Sequence, residues 1–261
     1  SIRKFLDELK TEIPPVPTGS VTIPLDTLDP TMRQPYGYMP LLKATPDKSN
    51  LVWTGNVKKY EAKNATYYGA DGELVFADRA GALSKTTRDY WNATTNDDQA
   101  LVSVGGAASR IPVPTTASTT TKRNVMFNVS DSAAALTPMP DTITNITALT
   151  TLSLAQKLQM LNFKGYELDP ALSILPTALP AAPAAPYVQH GGVSHSSPVV
   201  VTVQGKIKAD GTPDTARTDL VVYGSMDGAL HVVDGDTGVE KLAYIPSDML
   251  AYGPQSTAFK P

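Results

Sequence analysis

Leu220-Val221-Val222-Tyr223-Gly224-Ser225-Met226-Asp227-Gly228-Ala229-Leu230-His231-Val232-Val233-Asp234-Gly235-Asp236-Thr237-Gly238-Val239-Glu240-Lys241-Leu242-Ala243-Tyr244-Ile245-Pro246 is the stretch that decides the fold. Its apolar and β-branched residues fall into short runs, Leu220 to Gly224, Ala229 to Asp234 and Lys241 to Pro246. Asp227-Gly228 and Asp236-Thr237-Gly238 separate the runs with turn chemistry, because aspartate accepts backbone hydrogen bonds and glycine takes positive φ. Strands so closely spaced predict an antiparallel meander, the format of a propeller blade. Just upstream, Pro198-Val199-Val200-Val201-Thr202-Val203 reads as a buried-type strand, with a turn at Asp210-Gly211.

Further toward the N-terminus the pattern loosens. Leu179-Pro180-Ala181-Ala182-Pro183-Ala184-Ala185-Pro186 has the composition of a stiff, polyproline-like spacer. Leu149 to Leu161 reads as a helix, with Leu152, Leu154, Ala155, Leu158 and Leu161 mostly on one face and Ser153 or Thr150 as its cap. Val125-Met126-Phe127 is a short strand. Residues Gly105 to Thr121 read as a Thr/Ser/Ala/Pro loop with little to bury. An earlier β block is expected from Val21-Thr22-Ile23 and Leu25, from Leu51-Val52-Trp53 into Val57-Lys58-Lys59-Tyr60, from Leu74-Val75-Phe76 and from Arg88-Asp89-Tyr90-Trp91, with Gly55-Asn56 and Asp71-Gly72 as hairpin turns. Asn50-Leu51-Val52-Trp53-Thr54-Gly55-Asn56 echoes Asp219 to Ser225, which hints at repetition. Ile2, Phe5, Leu6 and Leu9 lie at helical spacing, ended by Pro14-Pro15.

Composition narrows the class. Of 261 residues, 41% are hydrophobic and only 18% charged, with 22 prolines and 18 glycines, which suits many short strands better than long amphipathic helices. A net charge of −3 gives no general attraction to nucleic acid, and Lys122-Arg123 alone reads as a solvated pair. Absence of cysteine excludes disulfides, thiolate metal sites and a cysteine nucleophile. No apolar run reaches the roughly 20 residues that span a bilayer, so no transmembrane segment is expected.

Candidate chemistry is sparse. His190 and His195 stand five residues apart in a Gly/Ser-rich loop, a spacing foreign to helical metal pairs. Ser194, Ser196 and Ser197 lack the Gly-x-Ser-x-Gly setting of a nucleophile elbow, and no acid is placed to orient His195. His231 alternates within a strand, the place of a hydrogen-bonded structural histidine. Asp227, Asp234 and Asp236 lack the spacing of a calcium loop, so turn chemistry explains them better. Gly105-Gly106 lacks the strand and helix context of a nucleotide loop. Asn64, Asn92, Asn128 and Asn145 open glycosylation-type triplets that an Asn- and Thr-rich chain contains by composition alone.

The chain resembles the PilY/PilC-type family of type IV pilus tip-associated adhesins and biogenesis factors. Gly224, Asp227, Gly228, His231, Asp234, Gly238, Tyr244 and Pro246 match the family's blade motif, Gly-x-x-Asp-Gly-x-Leu-His, then Asp, Thr-Gly and Ala-Tyr-Ile-Pro. His195, Ser196 and Pro198 match a His-Ser-Ser-Pro-Val segment before that blade, and Trp53, Gly55 and Asn56 an early Trp-x-Gly-Asn-Leu-Lys-x-Tyr strand. The resemblance implies a mainly β fold of propeller-type blades, an incomplete propeller, with a few short helices and long Thr/Pro-rich loops. It makes residues 1–18 a helical lead-in and linker, the tail of a preceding domain. Residues 19–261 are then the N-terminal portion of a β-propeller domain with a helical and Pro-rich insertion near 145–188, so that the chain is expected to be a piece of a longer protein. The implied function is non-enzymatic: pilus biogenesis by counteracting retraction, adhesion and twitching motility, with DNA uptake left open. Minor pilins at the tip and a host or abiotic surface receptor are the implied partners, on an exported protein at the cell surface, pilus tip or outer membrane. No cofactor is expected in these residues; the family often carries a calcium loop elsewhere. A quinoprotein-type dehydrogenase propeller is the alternative, since it repeats a similar strand and turn pattern, but it normally carries a tryptophan near the end of each blade.

Overall fold

The meander forms where its turns are placed. In the computed structural model, which describes residues 16–17, 21–44, 52–94, 96–128, 136–169 and 172–251, ten strands make two open sheets. The first has the order β1 (Val16–Pro17), β2 (Tyr36–Leu42), β3 (Gly55–Lys63), β4 (Thr66–Tyr68). The second contains β5 (Val125–Phe127), β6 (Thr137–Pro138), β7 (Val199–Gln204), β8 (Thr218–Gly224), β9 (Leu230–Asp234) and β10 (Glu240–Ile245) in the order β6-β5-β10-β9-β8-β7. β7 to β10 are consecutive antiparallel neighbours, and β5 adds to β10 in parallel. The helix expected over residues 2–10 lies outside the described residues.

The register sorts the side chains of the second sheet. Val200, Val221, Tyr223, His231, Val233, Ala243, Val125 and Phe127 share one face and are all buried. Part of that face packs on the first sheet through Tyr38 and Val57, with Trp91 and Ala107 from the segments beside it completing the core. The rest is covered by α2 (Leu154–Phe163) and α3 (Ser247–Ala251), with α1 (Ile143–Thr147) leading into α2. The first sheet is buried on its other face too, where Met39, Leu41 and Tyr60 meet Val75 and Val102.

Several expectations need correction. β2 was not legible as a strand, because Pro35 and Pro40 argue against one. Pro40 is tolerated because it faces Val57, whose N–H bonds Asn56 Oδ1 and whose carbonyl accepts from Ala107, so this pair exchanges no ladder bonds. Gly55 and Asn56 open β3 rather than forming a turn. The echo between residues 50–56 and 219–225 therefore fails, since Gly224 ends its strand. The hairpin turn falls instead at Asn64 and Ala65, both at positive φ. Residues Val21 to Leu25 and Leu74 to Phe76 make only isolated bridges, and Arg88 to Trp91 make no strand.

The loop from Gly105 divides. Gly105 to Ala108, Ile111, Val113 and Pro114 are buried, whereas Ser109 and much of the Thr-rich part beyond Pro114 lie at the surface. Within the stretch near 145–188, Leu152, Met160 and Phe163 sit in one core with Val125 and Ile245. The helix begins later than its apolar pattern suggests: Ser153 caps it and forms a reciprocal capping box with Gln156. Among the described residues no helix is long and apolar enough to cross a membrane.

Candidate functional site

Where β8 turns into β9, the strand register brings ionisable side chains together in the interior. Tyr223 and His231 are paired neighbours, and their rings stack with centroids 5.0 Å apart. His190 stacks on His231 at 4.5 Å and also stands 5.7 Å from the Tyr223 ring, so the three rings form one triangular cluster. Arg123 comes from the same sheet face by simple alternation, two residues before Val125 and four before Phe127. Glu240 comes from β10 by an irregularity: the register shifts between Glu240 and Leu242, placing Glu240 opposite Val233 and facing inward.

These groups form one buried ionic centre. Arg123 grips Glu240 bidentately, Nε to Oε1 at 2.6 Å and Nη2 to Oε2 at 2.8 Å, while Nη1 donates to the carbonyls of Phe163 and Gln189. Glu240 Oε2 also accepts from His231 Nδ1 at 2.8 Å. Burial alone would raise the Glu240 carboxyl, but the Arg123 charge, its hydrogen bonds and His231 outweigh burial and hold it well below the carboxylate range. His190 donates from Nδ1 to the Gly191 carbonyl and accepts the Tyr223 hydroxyl at Nε2, 3.0 Å away. Burial, then the neighbouring His231 and Arg123, push His190 well below its ordinary pKa, in keeping with this neutral tautomer. Burial and the Glu240 charge push the Tyr223 phenol up.

The centre reaches the surface at Ser225. Its Oγ lies 2.8 Å from His231 Nε2, so Ser225, His231 and Glu240 are spaced like a hydroxyl nucleophile, a base and an orienting acid. Three features oppose that chemistry. Ser225 has one proton to give, yet Asp227 Oδ1 makes a close contact with the same hydroxyl and the Ala229 carbonyl stands 3.3 Å away. The orienting carboxylate is already neutralised by Arg123, which weakens its support for an imidazolium. Finally, Ser225 does not line the cleft described below. The arrangement fits a clamp that ties the β8–β9 turn, β10, the end of α2 and the His190 segment together.

The motif residues have separate placements. Asp227 lies at the clamp, with Oδ2 buried and accepting no hydrogen bond. Ser196 Oγ accepts from the Gly224 N–H at 2.9 Å, which ties the His195-Ser196-Pro198 segment to β8; His195 is exposed and Pro198 buried. Gly228 has φ +81°, and a Cβ there would fall 2.4 Å from Met249. Asp234 Oδ1 accepts from the Asp236 and Thr237 amides, and Gly238 presses against Trp91. Tyr244 donates to Asn128 Oδ1, and the Pro246 carbonyl accepts from Met249. Asn56 fills all its bonding capacity: its amide donates to the Val102 and Gly105 carbonyls, and its Oδ1 accepts from Val57 and Ala108. The Gly55 N–H donates to the His190 carbonyl, and the Trp53 carbonyl accepts from Gly192, so the early motif joins the first sheet to the clamp.

The clamp partners Arg123, Glu240, His190 and Tyr223 were not singled out as site residues by sequence reasoning. Arg123 in particular is not the solvated cation suggested by its neighbour Lys122: its side chain is fully buried. Among the described residues no cluster of His, Cys, Asp and Glu could hold a metal ion. No family model matches the chain, and comparisons with curated proteins and with solved structures found no match. Fold and site together define a mainly β chain of two packed open sheets with a buried ionic clamp.

Proposed function

We propose that the chain is a non-enzymatic surface module of a type IV pilus tip protein, built from propeller-type blades, supporting pilus biogenesis and adhesion. The ordered sequence motifs motivate this reading. One structural observation supports it most: β7 to β10 form a four-strand antiparallel meander whose face away from the clamp is apolar. The face opposite the clamp carries Val199, Val201, Leu220, Val222, Leu230, Val232, Leu242 and Tyr244, none of them buried; Val199 is 56% exposed and Val201 42%. A sheet covered on one side and apolar but only partly covered on the other is what a blade presents to its neighbour in a propeller.

In this reading the exported protein sits at the pilus tip or outer membrane, with minor pilins and a surface receptor as partners, and acts in twitching motility. A role in DNA uptake would follow from the same location. The motif residues then act as blade architecture, and the Ser225–His231–Glu240 chain as a clamp without hydrolytic activity. Deleting the parent gene is expected to reduce surface piliation, adhesion and twitching together. Normal values for all three would overturn the proposal. Reduction of a dye by the purified protein with added quinone would instead favour a dehydrogenase propeller, and labelling of Ser225 by a fluorophosphonate would make the clamp an active site.

A further inference from the structure

A cleft of about 300 Å³ opens between the Thr-rich loop, residues 140–142 and the end of α2. Asp141 is among its lining residues. Beneath it Lys164, with only 7% of its side chain exposed, pairs with Asp141 Oδ1 and also donates to the Arg123 carbonyl at 2.8 Å and the Met139 carbonyl at 3.5 Å. Those acceptors use all three ammonium protons, so Lys164 fixes the carboxylate and has nothing left for a ligand. Asp141 itself remains 40% exposed, with Oδ2 3.8 Å from Lys122 at the rim. Tyr166 lines the same space, and its phenol is raised first by burial and then by the Asp141 charge. Thr119 and Thr121 also line the cleft, the Thr121 hydroxyl being 2.8 Å from Ser118 Oγ.

Charge decides what such a cleft can hold. A free anion would meet the Asp141 carboxylate, and the nearer ammonium is already saturated. A cation would meet two ammonium groups beside a carboxylate whose charge they offset. An uncharged polyhydroxyl ligand meets neither penalty: vicinal hydroxyls can donate to the held carboxylate while the apolar C–H face of a sugar ring lies on Tyr166. The volume stands at the lower end of ligand cavities, enough for a single ring. We propose that this cleft, formed by Asp141, Tyr166, Thr119, Thr121 and Lys122, binds one hexose unit of a glycan. The site does not depend on the pilus reading.

Saturation-transfer NMR on the 261-residue chain, titrated with the methyl glycosides of glucose, galactose and mannose, tests it. At least one hexose is expected to give saturable transfer, with Kd on the order of 1 mM for so small a ligand. Tyr166→Ala and Asp141→Asn are each expected to weaken binding about tenfold or more, equivalent to losing one good contact. Asp141→Asn deprives Lys164 of its partner and can loosen the fold. Tyr166→Ala, at the half-exposed rim, therefore serves as the second variant, with circular dichroism to show that it stays folded. Absence of saturable transfer from all three glycosides would overturn the proposal. So would binding that survives unchanged in Tyr166→Ala, or displacement of the sugar by inorganic phosphate.

Discussion

Arg123 and Glu240 show how much one pair can carry when water is excluded from both partners. Their side chains are 0% and 1% exposed, so removing one leaves the other charged, buried and unpaired. Arg123→Met is expected to lower unfolding free energy by about 3–5 kcal/mol in urea denaturation, while the double variant Arg123→Met with Glu240→Leu should be less destabilised than that single change. A double variant as unstable as the single one would mean that the pair acts through its packing, not its charge. Only half of this pair was legible. Arg123 keeps the period-two alternation with Val125 and Phe127, a signal that one could have followed. Glu240 does not, because regular alternation would place it with outward-facing Leu242, and only the bulge turns it inward. Gly55 illustrates a different limit, since nothing in its sequence setting announces that a second chain segment lies against it. A Cβ there would stand 2.3 Å from Gly192 Cα and 2.7 Å from the Leu41 carbonyl oxygen. Both obstacles are backbone and cannot rotate away, so Gly55→Ala is expected to cost about 2 kcal/mol or more in the same measurement.

At the scale of elements, what the chain reveals depends on whether neighbours in sequence are neighbours in the sheet. β7 to β10 follow one another in both, so hydrophobic runs and Asp-Gly turns were enough to read them. β2 is flanked and interrupted by prolines, and its place in the interior depends on partners from β3 and the residues around Val75 and Val102. Its burial is a tertiary fact that its own residues do not advertise. α2 lies between these cases. The apolar stripe revealed a helix, and the Ser153–Gln156 capping box set its start. Loss of that cap leaves amide protons of the first turn without an acceptor, so Ser153→Ala is expected to cost about 1 kcal/mol of unfolding free energy. The same substitution at Thr150, which lies before the helix and does not cap it, should change stability little, and an equal loss at both positions would sink the capping explanation.

For the whole molecule, the buried ionic groups predict a stability that depends on pH from both sides. His190 is held neutral in the fold, with His231, Arg123, Glu240, the Tyr223 hydroxyl and the Gly191 carbonyl around it, and its folded pKa lies well below the ordinary 6.5. The unfolded chain therefore binds its proton first, and stability falls as pH drops below about 6.5. Glu240 adds to this at lower pH. Its carboxyl is depressed in the fold, so the stability it gives is full above the ordinary 4.5 and is lost as pH falls below that value. On the alkaline side, Lys58 lies buried against the Gln99 and Leu101 carbonyls, and burial lowers its pKa to about 8. Its buried charge is a cost below that value, and stability should rise between about 8 and 10.5 as the folded protein sheds this proton before the unfolded chain does. Melting temperature measured from pH 4 to pH 10 should therefore drop on acidification in two stages and gain from Lys58 at the alkaline end. His190→Gln should remove the limb that begins near pH 6.5 and leave the lower one, because glutamine has no proton to take up on unfolding. Lys58→Met should reduce the alkaline gain, and the part that remains belongs to Lys59, whose pKa burial also lowers. If the wild-type curve is flat between pH 7 and pH 5, or if His190→Gln leaves its slope unchanged, the neutral buried histidine is not what links this fold to pH.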